Sequence, residues 1–162
     1  MKNIRTDKLS ILLIGIGNCG RNDDGLGWQF VDMVNSKGPD QLCLEYRYQL
    51  QVEDAQLVSN FDIVLFADAT HDVLPHGFDI KPCPPVNHYY FSSHAQSPGT
   101  ILYLAHELYQ KKPEAYTIAI TGYNWGLGTS ISEAALTNLE SSYHTFLNIF
   151  LPALKEVYAI TG

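Results

Sequence analysis

The sequence is poor in charge, and the charge that it carries has the wrong sign for binding polyanions. Only 17% of its 162 residues are charged, and 10 Lys and Arg against 17 Asp and Glu give a net charge of −7. A protein that binds nucleic acid needs a basic surface, and so does one that binds an anionic membrane. The composition therefore predicts no nucleic-acid partner and no membrane partner.

Long apolar runs and paired cysteines are also missing. No apolar run reaches the roughly 18 residues of a transmembrane helix. The run at residues 9–16 leads into Gly17-Asn18 rather than a small-residue cleavage site, so it is interpreted as a buried strand and not a signal peptide. The three cysteines, Cys19, Cys43 and Cys83, are odd in number and show no paired spacing, which excludes a disulfide framework. These features favour a cytoplasmic protein.

Hydrophobic residues make up 46% of the chain, and their pattern alternates between strand and helix signals. This alternation predicts one α/β domain over residues 1–162, with a mainly parallel sheet. The prolines at residues 70–85 indicate irregular structure there. The strands are predicted at 9–16, 42–50, 61–67, 87–92 and 116–121, and the helices at 24–34, at 52–58, after Ser97-Pro98, and at 132–158 with a break at Pro152.

Gly15, Gly17 and Gly20 fit the letters of the dinucleotide-binding pattern G-x-G-x-x-G. Two features disfavour a nucleotide site. Asp23 and Asp24 would repel a pyrophosphate at the start of the following helix, and no acidic residue stands at the end of the second predicted strand. If the nucleotide alternative held, dinucleotides would stabilise the protein in a thermal-shift screen.

Polar residues follow three of the predicted strands. Asp24 follows the first strand, Asp68 closes the strand at 61–67, and His94 follows the strand at 87–92. The carboxyl ends of parallel strands meet at one edge of a sheet, where ligands bind. Two carboxylates and one imidazole suit zinc or nickel and leave positions open for substrate or water, as in metal-assisted hydrolysis. Each residue also has an ordinary interpretation, as a helix-terminal carboxylate, a turn cap and a loop histidine.

Three further features each have two interpretations. His71, three residues after Asp68, is either a fourth ligand or a solvated loop histidine. Cys19 as a nucleophile would need His94 as its base, and this alternative is disfavoured. Tyr123 and Trp125, in a glycine-rich loop, form either an exposed aromatic contact surface or internal loop packing.

The spacing of the first motif resembles that of a known family. Gly-Ile-Gly-Asn at 15–18, four residues, and Asp-Asp-Gly-Leu-Gly at 23–27 are similar to the opening signature of the hydrogenase maturation proteases. These endopeptidases trim the C-terminus of the large subunit of nickel–iron hydrogenases. Phe-Ala-Asp-Ala at 66–69 and Ser-Ser-His at 92–94 extend the resemblance over nearly the whole chain.

The resemblance implies a three-layer α/β/α sandwich of the phosphorylase/hydrolase type, with a twisted, mainly parallel central sheet. It implies that Asp24, Asp68 and His94 are both the metal-binding and the catalytic residues. The nickel would arrive in the hydrogenase large-subunit precursor, and the free protein, expected to be a monomer, would hold no metal tightly. Hydrolysis would use a metal-activated water or a polarised peptide carbonyl.

The sequence departs from the family pattern in three places. Members usually have an apolar residue a few positions after the His, whereas Gln96, Ser97 and Pro98 stand there in this chain. Members often carry Pro-Gly soon after the second acidic ligand, whereas residues 70–74 are Thr-His-Asp-Val-Leu and Pro98-Gly99 follows His94 instead. The loop at residues 123–128 is also unusual. These departures leave open which precursor is recognised, and they leave a non-enzymatic module that binds nickel or the precursor as an alternative.

Overall fold

The computed structural model describes residues 8–87 and 96–161, which form one five-stranded sheet covered by helices on both faces. The strands are β1 (Ile11–Ile16), β2 (Leu42–Arg47), β3 (Ile63–Thr70), β4 (Phe78–Pro82) and β5 (Glu114–Thr121). The helices are α1 (Leu26–Lys37), α2 (Asp54–Val58), α3 (Pro98–Tyr109), α4 (Glu133–Thr145) and α5 (Leu151–Thr161), with short 3-10 turns at Asn22–Gly25 and Pro75–Gly77 and a π-helical turn at Phe146–Phe150.

The sheet has the strand order β2-β1-β3-β5-β4, in which the first four strands are parallel and β4 is antiparallel to β5. The prediction of irregular structure at 70–85 is therefore wrong at residues 78–82. Proline is tolerated here because β4 is an edge strand, and Pro82 is its last residue. The strand predicted at 87–92 lies outside the described residues.

Alternate residues of β1 enter two separate cores, one on each face of the sheet. Leu13 packs with Phe30 of α1 and Phe146 on one face, in the core that also contains α4 and α5. Leu12 packs on the other face with α2 and α3, beside Ile101. The predicted three-layer sandwich with a mainly parallel sheet is thus confirmed.

Two helix boundaries follow from local sequence. Ser97 caps α3 by accepting a hydrogen bond from Thr100 N at 3.1 Å, and Pro98 occupies the first helical position, where no N–H is needed. The last helical stretch is divided by the π-helical turn just before Pro152, as predicted. No helix in the described part of the chain is long and apolar enough to cross a membrane.

Two glycines let α1 lie directly on the sheet. A Cβ on Gly27 would collide with the carbonyl oxygens of Ile16 and Ala67, and a Cβ on Gly15 would collide with Gly27 O. The first turn of α1 therefore sits against the ends of β1 and β3. This close approach brings Asp24, which stands two residues before α1, to the end of the sheet where Asp68 lies.

Candidate functional site

Asp24 is held by a tight turn between β1 and α1. Gly17 has a φ of +143° and no room for a Cβ, which would collide with Asp24 O, so only glycine fits there. Asn18 N donates a hydrogen bond of 3.0 Å to Asp24 Oδ2. One carboxylate oxygen of Asp24 is thereby fixed by the backbone.

Asp68 lies inside β3 and not after it. β3 pairs with β1 only as far as Ala67, but its pairing with β5 continues to Thr70, and this pairing extends the strand. Asp68 lies opposite Ala119 of β5. The sequence predicts that the strand ends at Asp68, whereas β3 ends two residues later, at Thr70. The pKa of Asp68 is raised to about 7, chiefly by burial; the Ala69 N–H lowers it in part, and the negative charge of Asp24 adds to the rise.

Both carboxylates line one pocket of about 560 Å³ at the carboxyl edge of the sheet. Its walls come from the ends of β1 and β3, from the chain after β2, and from the start of α3. The lining residues are Ile16, Gly17, Asp24, Tyr48, Gln49, Leu50, Asp68, Val86, Gln96, Ser97, Pro98 and Thr100. Asp24 and Asp68 thus come together at the strand ends, as predicted.

His94, the third predicted ligand, lies outside the described residues. Val86 and Gln96, on either side of residues 88–95, both line the pocket. Within 8–87 and 96–161, no three His, Cys, Asp or Glu side chains form a group that could hold a metal ion. Of the predicted triad, the described residues therefore include Asp24 and Asp68.

Asn18 connects Asp24 to the mouth of the pocket. While its backbone N–H binds Asp24, its side-chain Nδ2 donates to Tyr48 Oη at 3.1 Å. Tyr48 lines the pocket and is 64% exposed. An exposed phenol that can both donate and accept hydrogen bonds therefore forms part of the pocket wall.

Asp23 has a role that the sequence analysis missed. It is fully buried, and its carboxylate accepts hydrogen bonds from the backbone N–H groups of Tyr123, Asn124 and Ser132 and from Ser132 Oγ. Burial raises the pKa of Asp23, but these hydrogen bonds outweigh it and lower the pKa below its usual value. Asp23 thus ties the turn that carries Asp24 to a loop 100 residues away.

The loop at residues 122–128, hereafter the aromatic loop, is hydrogen-bonded to the turn that carries Asp24. Trp125 is half-buried and stacks on the His71 ring, with centroids 3.7 Å apart and planes at 21°. His71 is exposed and joins no metal-binding group among the residues described. The aromatic loop therefore combines both earlier interpretations, since Trp125 packs inside it while Tyr123 is exposed.

Cys19 is poorly suited to act as a nucleophile. Burial raises the pKa of its thiol, and the charges of Asp32 and Asp24 raise it further. A thiolate, which is the reactive form, is disfavoured beside two carboxylates.

No protein-family model matches this sequence, and no curated protein matches it significantly. Solved structures are similar in fold. HycI, a NiFe hydrogenase maturation protease from Thermococcus kodakarensis, has a TM-score of 0.67 at 21% identity, covering 91% of this chain and 96% of its own. HybD, a hydrogenase maturating endopeptidase from E. coli, has a TM-score of 0.68 at 17% identity, covering 92% of this chain and 94% of its own. A hydrogenase 2 maturation peptidase from a Thaumarchaeota archaeon has a TM-score of 0.60 at 19% identity, covering 90% of this chain and 98% of its own. The chain thus has the fold of these proteins.

Proposed function

We propose that this chain is an endopeptidase that removes the C-terminal extension of a nickel–iron hydrogenase large-subunit precursor. The observation that carries the proposal is the meeting of Asp24, from the turn after β1, and Asp68, from β3, on one open pocket. The fold shared with the maturation proteases over at least 90% of this chain supports it. So does the signature at residues 15–18 and 23–27, which coincides with the turn that presents Asp24.

In this proposal the nickel already present in the precursor is part of the substrate and serves as the recognition tag. Asp24 and Asp68 bind it with oxygen donors, and bound nickel supplies a Lewis acid that polarises the scissile carbonyl or activates water. The backbone N–H of Asn18 orients Asp24 for this role. Asp68, with a pKa of about 7, releases a proton when it binds the metal.

His94 completes the proposed ligand set with a neutral imidazole nitrogen. Gln96, which lines the pocket, stands two positions further along the chain, and two residues span at most about 7 Å. Three protein ligands leave part of the coordination shell of nickel to the precursor. This division explains why recognition would require a precursor that is already loaded.

The test is trimming of the nickel-loaded precursor, followed by gel mobility and by the mass of the product. Asp24→Asn and His94→Ala are expected to abolish trimming because each removes one ligand. Asp40→Asn and His144→Ala alter exposed side chains and serve as matched controls that keep full activity. Thermal unfolding establishes that all four variants are folded, and trimming at the wild-type rate by Asp24→Asn or His94→Ala would refute the assignment.

The same experiment addresses the alternative of a non-enzymatic module that binds nickel or the precursor. Such a module would form a stable complex with the loaded precursor and leave its mobility and mass unchanged. Cleavage that requires Asp24 would exclude it.

A further inference from the structure

We infer that the aromatic loop is a docking surface for the folded precursor. In this inference, which rests on the proposed function, Tyr123 and Leu127 provide exposed contacts and Trp125 provides the rigid base. The partner is a folded protein that presents an apolar patch beside the C-terminal segment to be removed.

The exposed side chains of the aromatic loop are unusually apolar. Leu127 is 81% exposed and Tyr123 is 50% exposed. Val73, which is 83% exposed, belongs to a neighbouring turn that Thr121 holds by donating to Asp72 O at 2.8 Å and accepting from Leu74 N at 3.1 Å. Grouped exposed apolar side chains mark interaction surfaces, and tyrosine and tryptophan are enriched at their energetic centres.

The loop is also fixed in place before any partner binds. Asn22 Nδ2 donates to Gly126 O at 3.0 Å, and Gly128 N donates to Gly20 O at 2.9 Å. Asp23 binds the backbone at the start of the loop, and the His71 ring covers Trp125. A loop that is already ordered loses little conformational entropy on binding, so less of the free energy from its apolar contacts is offset by ordering the loop.

The position of the loop points to the substrate as its occupant. Its anchors, Asn22 and Asp23, directly precede Asp24, and His71 follows Asp68 by three residues. The loop is therefore bonded to the same turn that presents Asp24 to the pocket. A pocket of about 560 Å³ accepts only a short segment of chain, whereas a specific protein interface covers about 800 Å² on each partner. A folded precursor must consequently rest on the surface beside the pocket.

The test compares two substitutions of exposed leucines by aspartate. Leu127→Asp places a charge on the docking surface, whereas Leu108→Asp is a matched control on α3, where Leu108 is 54% exposed. Leu108 lies roughly 15 Å along the helix from Pro98, away from the pocket. Leu127→Asp is expected to raise the KM for the nickel-loaded precursor about tenfold with kcat within about twofold, the signature of lost docking. Leu108→Asp is expected to change neither constant.

Three other results would overturn the inference. If the wild type trims and Leu127→Asp has an unchanged KM, the docking surface is wrong and the proposed function stands. If the wild-type chain neither binds nor trims the loaded precursor, the proposed function fails and the docking inference fails with it. If light scattering shows that Leu127→Asp converts a dimer into a monomer, the occupant is a second copy of this chain.

Discussion

Asp23 and Asp24 are chain neighbours whose carboxylates have opposite surroundings. Asp24 lines the open pocket, whereas Asp23 is fully buried under four hydrogen bonds. The sequence predicts that two acids stand near the start of a helix, and the strand-end argument identifies Asp24. The sequence gives no sign that Asp23 organises the turn, because the hydrogen-bond partners of Asp23 are 100 or more residues away along the chain.

Replacing Asp23 by asparagine is expected to destabilise the protein at pH 7. One carboxylate oxygen becomes an amide nitrogen that faces N–H donors, and leaving a buried donor unsatisfied costs about 1–3 kcal/mol. The free energy of unfolding in urea measures this loss. Asp40→Asn, at an exposed position, is the control and should stay within about 0.5 kcal/mol of the wild type; an equal loss in both variants would contradict the role of Asp23.

The contribution of Asp23 should also disappear in acid. Its folded-state pKa is lowered below the ordinary value of 3.8, so its stabilisation is present above that value and is lost as the pH falls through the folded-state pKa. The difference in unfolding free energy between the wild type and Asp23→Asn is therefore expected to shrink below about pH 4. Urea titrations from pH 7 to pH 3 measure this difference, and a constant gap would contradict the hydrogen-bonded carboxylate.

Asp68 should show the opposite pH dependence. Because its pKa rises from 3.8 to about 7, the folded state binds its proton more tightly than the unfolded state does. The stability that this proton confers is complete below pH 3.8 and is lost as the pH rises through about 7. Asp68→Asn is expected to gain stability relative to the wild type across this window, as measured by urea unfolding at pH 4, 6 and 8. Parallel pH profiles for the two proteins would contradict the raised pKa.

At the scale of elements, the interface between α1 and the sheet depends on Gly27. Gly27→Ala is expected to push α1 away from β1 and β3, because the new Cβ would overlap two backbone oxygens. It should lower the melting temperature and weaken trimming, since it displaces Asp24. Gly126→Ala is the matched control, since its Cβ would meet only Asn124 Oδ1 at 3.6 Å, an ordinary contact. Equal melting temperatures for the two variants would show that the close approach is not required.

The elements that were predicted correctly have strong local signals. Continuous apolar runs identify β1 and β3 because both faces of these strands are buried. β4 was missed because its alternation covers only five residues and ends at Pro82, among other prolines. Its pairing with β5 depends on contacts between distant parts of the chain, which a local pattern does not contain.

At the scale of the whole molecule, the proposed division of ligands predicts the metal content. The purified protein is expected to contain much less than one equivalent of nickel after gel filtration, and treatment with a chelator should leave its melting temperature unchanged. Elemental analysis measures the nickel content, and thermal unfolding measures the melting temperature. A full equivalent of tightly held nickel, lost together with stability on chelation, would contradict the proposal that the precursor brings the metal.

The order of the strands has a consequence for synthesis on the ribosome. β5 lies between β3 and β4, although it is translated after both. Until residue 121 has emerged, the hydrophobic strand β3 lacks the partner that pairs with all eight of its residues, including Asp68. A nascent chain at that stage exposes an unpaired strand edge, which is a template for aggregation. Until β5 emerges, we therefore expect the free edge of β3 to be the part of the nascent chain that is most prone to pair with other chains.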